Sequence, residues 1–63
     1  MKIIDNISGE ILTINDRMDA IRESRSRVKF YNSEFNYSHR GKHYSQNAEY
    51  IINGDTITIR RKA

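Results

Sequence analysis

Two short apolar runs, Ile3-Ile4 and Ile11-Leu12 with Ile14, flank the polar stretch Asp5-Asn6-Ile7-Ser8-Gly9-Glu10, a pattern that predicts a β-hairpin over Met1 to Ile14. Gly9 supplies the positive φ that a three-residue loop with a bulge requires. With Asn6 opposite Glu10, Ile4, Leu12 and Ile14 share one face and become core candidates, while Ile3 and Ile11 take the other. The period then changes. Ile14, Met18, Ile21 and Val28 follow helical spacing with Ala20 beside them, and one helix of roughly three turns is expected from about Asp16 to Ser26. Asn15 is the expected N-cap, Asp16 and Asp19 suit the positive end of the helix dipole, and Arg22, Arg25 and Arg27 lie toward its other end. A helix this short must lie on a sheet to be stable.

From Val28 onward the pattern has period two. Val28 and Phe30 share one phase and Phe35 and Tyr37 the other, so a turn or bulge at Asn32-Ser33 is expected to restore a common face. A second reversal falls at His39-Arg40-Gly41-Lys42, after which Tyr44, Gln46, Ala48, Tyr50 and Ile52 keep one phase and predict one long strand. The strongest local signal is Ile51-Ile52-Asn53-Gly54-Asp55-Thr56-Ile57, a tight hairpin that puts Tyr50, Ile52, Ile57 and Ile59 on one face and Thr56, Thr58 and Arg60 on the other. The expected fold is therefore α+β over residues 1–63: an N-terminal hairpin, one helix, then a three- or four-stranded antiparallel meander (ββαβββ-like), with the helix packed on the sheet.

Composition narrows the chemistry. The chain has 63 residues and no Cys, Pro or Trp, so one small domain without disulfides or thiolate metal sites is expected, burying only about 60% of its unfolded surface. No apolar run is long enough to span a bilayer and no apolar signal segment opens the chain, so a soluble, cytoplasmic protein is expected. Charge is uneven. Residues 1–21 carry Lys2 and Arg17 against Asp5, Glu10, Asp16 and Asp19, and residues 22–63 carry nine cations against Glu23, Glu34, Glu49 and Asp55, so the net +3 divides into −2 and +5.

Those nine cations form three groups: Arg22, Arg25, Arg27 and Lys29; Arg40 and Lys42; and Arg60, Arg61 and Lys62. Gathered on one side, they would neutralise phosphates, and Tyr31, Tyr37 and Tyr44 would offer bases a stacking surface. The plainer reading is a solvated surface in which Glu23 and Arg27 pair at i,i+4. The C-terminal hairpin, with its Asn-Gly turn and its Arg60-Arg61-Lys62 ending, resembles the wing of small winged-helix excisionases over about fourteen of the 63 residues. The resemblance implies contact of those cations with a DNA backbone. It does not extend to the fold, because a helix-turn-helix needs two helices and one is expected.

His39 and His43, with Tyr37, Tyr44, Arg40 and Lys42 around one turn, hold the groups an acid–base ribonuclease would use, but neither histidine has an orienting carboxylate nearby in sequence. Two histidines are too few for a metal site, so neither a metal nor a small-molecule cofactor is expected. The sheet offers a further surface. A strand such as Thr56-Ile57-Thr58-Ile59 with a free edge would accept a partner strand, and outward-facing Ile51 and far-side Ile3 or Ile11 would add apolar contact.

One helix cannot cover both faces of the sheet, so a protein partner or a second copy of the chain is expected at Ile51, Thr56 and Thr58. A tiny, Cys-free, Ile- and Asn-rich chain of this kind is similar to small phage accessory proteins that modulate host or phage machinery, which would place it in the host cytoplasm. The resulting expectation is a non-enzymatic module that binds a protein of the nucleic-acid machinery. Direct DNA or RNA binding is the alternative, and a small ribonuclease the third reading.

Overall fold

A computed structural model describes residues 1–34, 37–39, 42–44 and 47–62, with the backbone alone at positions 34, 37–39 and 42–44. The elements are β1 (Lys2–Asp5), β2 (Ile11–Thr13), α1 (Arg17–Glu34), β3 (Tyr37–His39), β4 (Lys42–Tyr44), β5 (Ala48–Asn53) and β6 (Thr56–Arg61). A four-stranded sheet has the order β2-β1-β6-β5, and β3 and β4 form a separate antiparallel pair. The α+β class agrees with the sequence pattern, but the sheet is mixed. β1 and β6 run parallel, from Lys2↔Thr56 to Asp5↔Ile59, where an antiparallel meander was expected. The Lys2 N–H to the Asp55 carbonyl and the Asn6 N–H to the Ile59 carbonyl, both 2.9 Å, fix that register at its two ends.

β6 therefore has a neighbour on each side. Thr56 and Thr58 do not lie on a free edge, and the outer strands are β2 and β5. Threonine and isoleucine alternate along β6, so every side chain from Thr56 to Ile59 is β-branched and suits a central strand on both faces.

The first hairpin forms one residue out of the expected register. Its pairs are Ile3↔Leu12 and Ile4↔Ile11, which moves Ile3 rather than Ile4 onto the core face. The cause is the loop. Backbone hydrogen bonds from Asp5 to Glu10 and from Gly9 back to Asp5 enclose residues 6–9, with Gly9 at φ 83°. The Asp5 carboxylate accepts the Ile7 and Ser8 N–H groups, both at 3.0 Å. The second β2 prediction stands: Leu12 and Ile14 pack against the core and Ile11 points away from it.

The helix is longer than its pattern predicted. Asp16 is the N-cap in place of Asn15, its carboxylate accepting the Met18 and Asp19 N–H groups at 2.8 and 3.1 Å. The helix then runs through Val28, Phe30 and Asn32-Ser33, where a strand and a turn were expected. The stripe that drives it is Ala20, Ser24, Arg27, Val28 and Tyr31, of which Ser24 and Arg27 are polar and so escape an apolar count. Met18, assigned to the expected stripe, is 62% exposed. Ala20 and Ser24 are fully buried, and their small side chains let the helix approach the sheet closely. Buried Ser24 is satisfied by donating to the Ala20 carbonyl at 2.8 Å.

At the helix end the Asn32 side chain accepts the Ala48 N–H at 2.7 Å and donates to the Ala48 carbonyl at 3.3 Å, doing for the first residue of β5 what a neighbouring strand would do. The expected long strand from Tyr44 to Ile52 is instead two strands in separate sheets. The C-terminal hairpin turns at Gly54-Asp55, with Asn53↔Thr56 as its last pair and Gly54 at φ 60°. The core is Ile3, Ala20, Tyr31, Ala48, Ile57 and Ile59. Ile52, expected in it, lies at the end of outer strand β5 and is 38% exposed.

Candidate docking face and the ion cluster beneath the helix

Alternation along the four paired strands sorts their side chains onto two faces. The face under α1 takes Ile3 and Asp5 from β1, Leu12 from β2, Ile57 and Ile59 from β6, and Ala48 and Tyr50 from β5. Its polar centre is Asp5, whose side chain is fully buried. Besides the loop N–H groups, this carboxylate receives Arg27 Nη1 at 2.7 Å and the Tyr31 hydroxyl at 2.5 Å, both on Oδ2.

Burial opposes ionisation of Asp5, but the hydrogen bonds from Tyr31, the Ser8 N–H and Arg27 outweigh it and hold the carboxyl at about 2. Burial and its bond to Asp5 push the Tyr31 hydroxyl upward. Burial alone would lower Arg27, yet three carboxylates raise it: Asp5, Glu23 at 3.0 Å and Glu10 at 2.9 Å. Glu10, Glu23, Arg27 and Phe30 line an open groove of about 500 Å³ beside this cluster.

The cluster removes two residues from the expected nucleic-acid surface. Arg27 is committed to three carboxylates, including its expected i,i+4 partner Glu23. Tyr31 is buried, with its hydroxyl on Asp5, and presents no ring face for stacking. Two local signals point to the cluster in the sequence: Asp5 opening a polar loop that ends in Gly9, the setting of an Asx turn, and Glu23 one helical turn before Arg27.

The other expected cations whose side chains are described do not gather on one side. Arg22, Arg25 and Lys29 are exposed along the outward side of α1. There Arg22 pairs with Asp19 at 3.0 Å, and Arg25 Nε donates to the Tyr50 hydroxyl at 3.2 Å. Arg60 lies on the opposite face of the sheet, paired with Glu49 at 3.1 Å. Arg61 and Lys62 are exposed at the end of β6. Arg40 lies outside the described residues, as do the side chains of Lys42, Tyr37, Tyr44, His39 and His43. The register of the second pair, Ser38↔His43 and His39↔Lys42, sets the two histidines at positions of opposite phase.

The face away from α1 has a different make-up. Register aligns Ile11, Ile4, Thr58 and Ile51 in one row across all four strands, and Thr13, Lys2, Thr56 and Asn53 in the next. Ile11 is 61% exposed and Ile51 39%, so the apolar row is open to solvent at both ends. Ile51 is outward as predicted, with Ile11 and Ile4 in place of Ile3 as its apolar companions.

Among the described residues no helix is long and apolar enough to cross a membrane, and no group of three His, Cys, Asp or Glu side chains is placed to hold a metal ion. Comparison of the chain with protein-family models, curated proteins and solved structures finds no match.

Proposed function

We propose that this protein is a non-enzymatic binding module that docks on a protein surface through the sheet face that α1 leaves open. The observation that carries this reading is the row Ile11-Ile4-Thr58-Ile51, continuous across the sheet and exposed at both ends. Full burial of an isoleucine side chain contributes about 1.5–3 kcal/mol, so a partner covering this row gains most where the chain itself leaves water.

The test is affinity capture with the wild type and two variants. Ile51→Lys is expected to lose a partner that Arg61→Ala retains, because Arg61 shares its phase with the helix-covered face. Equal retention by both variants would overturn the reading. A partner within the nucleic-acid machinery, as a phage-type accessory protein would have, is the narrower form of the same proposal.

Direct nucleic-acid binding is a second reading, supported by Arg22, Arg25 and Lys29 lying exposed along one side of α1. Its measure is salt dependence: each phosphate contact on duplex DNA contributes about 0.9 to the slope of log affinity against log salt. A flat response, or no binding at about 50 mM salt, would overturn it.

A further inference from the structure

The groove beside the ion cluster has a lining that the fold does not fully use. Glu23, Arg27 and Phe30 stand at i, i+4 and i+7 on α1 with Ser26 among them, so one side of the helix forms a wall, and Glu10 faces it from the first hairpin. Phe30 is 55% exposed and touches the core only at its rim, through a T-shaped contact with Tyr31.

The charges of this groove do not balance. The Arg27 guanidinium gives Nη1 to Asp5, Nε to Glu23 Oε1 and Nη2 to Glu10 Oε2. Nε and Nη2 are neighbouring donors on one planar fork, so the Glu23 and Glu10 carboxylates stand side by side. The second oxygen of each, Glu23 Oε2 and Glu10 Oε1, makes no hydrogen bond with the described residues, and both side chains are half-exposed. Three carboxylates against one guanidinium leave two negative charges here, in a chain whose total is +3. The exposed cations of α1 do not supply the difference, since Arg22 and Arg25 have partners of their own in Asp19 and Tyr50.

A group that completes this lining brings positive charge to the two carboxylates and an apolar or flat surface to Phe30. A guanidinium does both, because its planar fork serves two acceptors and its face stacks on an aromatic ring, whereas an ammonium is a strongly hydrated point charge. The methylene stem of an arginine covers apolar surface as well. The groove is open, so such a side chain enters while its own backbone stays outside.

We propose that this groove accepts an arginine side chain of a partner protein, with its guanidinium on Glu10 and Glu23 and its stem against Phe30. The site lies between α1 and the first hairpin and stands independently of the sheet-face reading above. Water screens both glutamates, so one arginine alone is expected to bind weakly, on the order of 1–10 mM, as one anchor of a larger contact.

Titration of the wild type with N-acetyl-arginine amide, followed by amide shifts, tests this without any variant. Shifts are expected at residues 8, 10, 23, 26, 27 and 30. N-acetyl-citrulline amide, which keeps the shape and lacks the charge, is expected to give none, and the lysine analogue to bind more weakly. Raising salt from about 20 to about 500 mM should weaken the arginine probe. Phe30→Ala places a good helix former at an exposed position, so it is expected to fold and to bind about two- to fivefold more weakly. Glu23→Gln keeps the volume, removes one charge and should weaken binding likewise.

No shifts at about 20 mM probe, equal binding of the citrulline probe, or folded Phe30→Ala and Glu23→Gln variants that bind like the wild type would overturn the proposal. Equal binding of the lysine analogue would overturn the choice of guanidinium. Ile51→Lys is expected to leave the titration unchanged, and loss of the shifts in that variant with its fold intact would overturn the placement.

Discussion

The two faces of the sheet come from the same four strands, and each receives isoleucine from more than one of them. The helix-covered face holds Ile3, Ile57 and Ile59, all fully buried, with Ile52 half-exposed at its margin, whereas the other holds Ile4, Ile11 and Ile51, two of them exposed. Four isoleucines against three do not explain that difference in burial. What separates the faces is what α1 brings. Ala20 and Ser24 allow close approach, Tyr31 fills the core, and Arg27 ties the helix to Asp5 and to the first hairpin at Glu10. The closed face is thus defined as much by one ion cluster as by apolar area. The open face has an apolar row with nothing in the described chain to cover it.

The largest expected effect tests that role of the cluster. Arg27→Ala leaves the buried Asp5 carboxylate without its cation, and breaking one side of a buried pair typically costs about 3–5 kcal/mol. At roughly 0.05–0.15 kcal/mol per residue, a chain of 63 residues has only about 3–9 kcal/mol of stability in all, so most of it is lost. Urea denaturation measures this, with Arg22→Ala as the contrast: its pair with Asp19 is exposed, and its loss is expected to cost less than about 1 kcal/mol. Similar losses for the two variants would mean that the cluster does not distinguish the covered face.

Next in size is the apolar part of the same face. Ile57→Ala in the fully buried centre is expected to cost about 2–5 kcal/mol, transfer and cavity combined. Measured beside it in the same assay, Ile11→Ala should fall far below that range, since most of Ile11 is already in water.

The acid limb of stability is a third probe. The Asp5 carboxyl is lowered from 3.8 to about 2 on folding, so between those values the unfolded chain binds more protons than the native one. The contribution is fully present above about pH 4 and is lost as pH falls toward 2, and it amounts to about 2 kcal/mol. Denaturation midpoints across this window should fall in the wild type, and Asp5→Asn should lack this component of the fall. An unchanged slope in the variant would show that Asp5 does not carry it.

How much of this was readable in the sequence depends on the range of the interaction. Both hairpins of the main sheet follow from neighbouring residues, and Ile51 takes the outward phase expected of it. The helix end departs from the pattern because Val28, Phe30 and Tyr31 are strand formers by propensity, while packing of Val28 and Tyr31 on the core holds this turn helical. The parallel β1–β6 pairing joins residues more than fifty positions apart, and alternation specifies a strand's faces but not its neighbours. Arg27 shows the same limit for the site. Counted along the chain it belongs to a basic segment, and only the fold reveals that Asp5 and Glu10 come to it from the first hairpin.

The smallest expected effect tests whether the open face is truly open. Ile11→Thr keeps the β-branch that β2 favours and removes apolar surface at a position 61% exposed, so monomer stability should change by no more than about 0.5 kcal/mol. Its partner across the hairpin, Ile4, keeps Thr58 as its other neighbour, so the row loses one end without losing its register. Capture of the docking partner should weaken in the same variant, because the change removes apolar surface from an exposed end of the row. Stability and association are thus expected to separate at this residue, whereas at Ile57 folding itself is lost first. If Ile11→Thr instead cost more than about 1 kcal/mol in dilute solution, the chain itself would be closing this face, and the contrast between its two sides would fail.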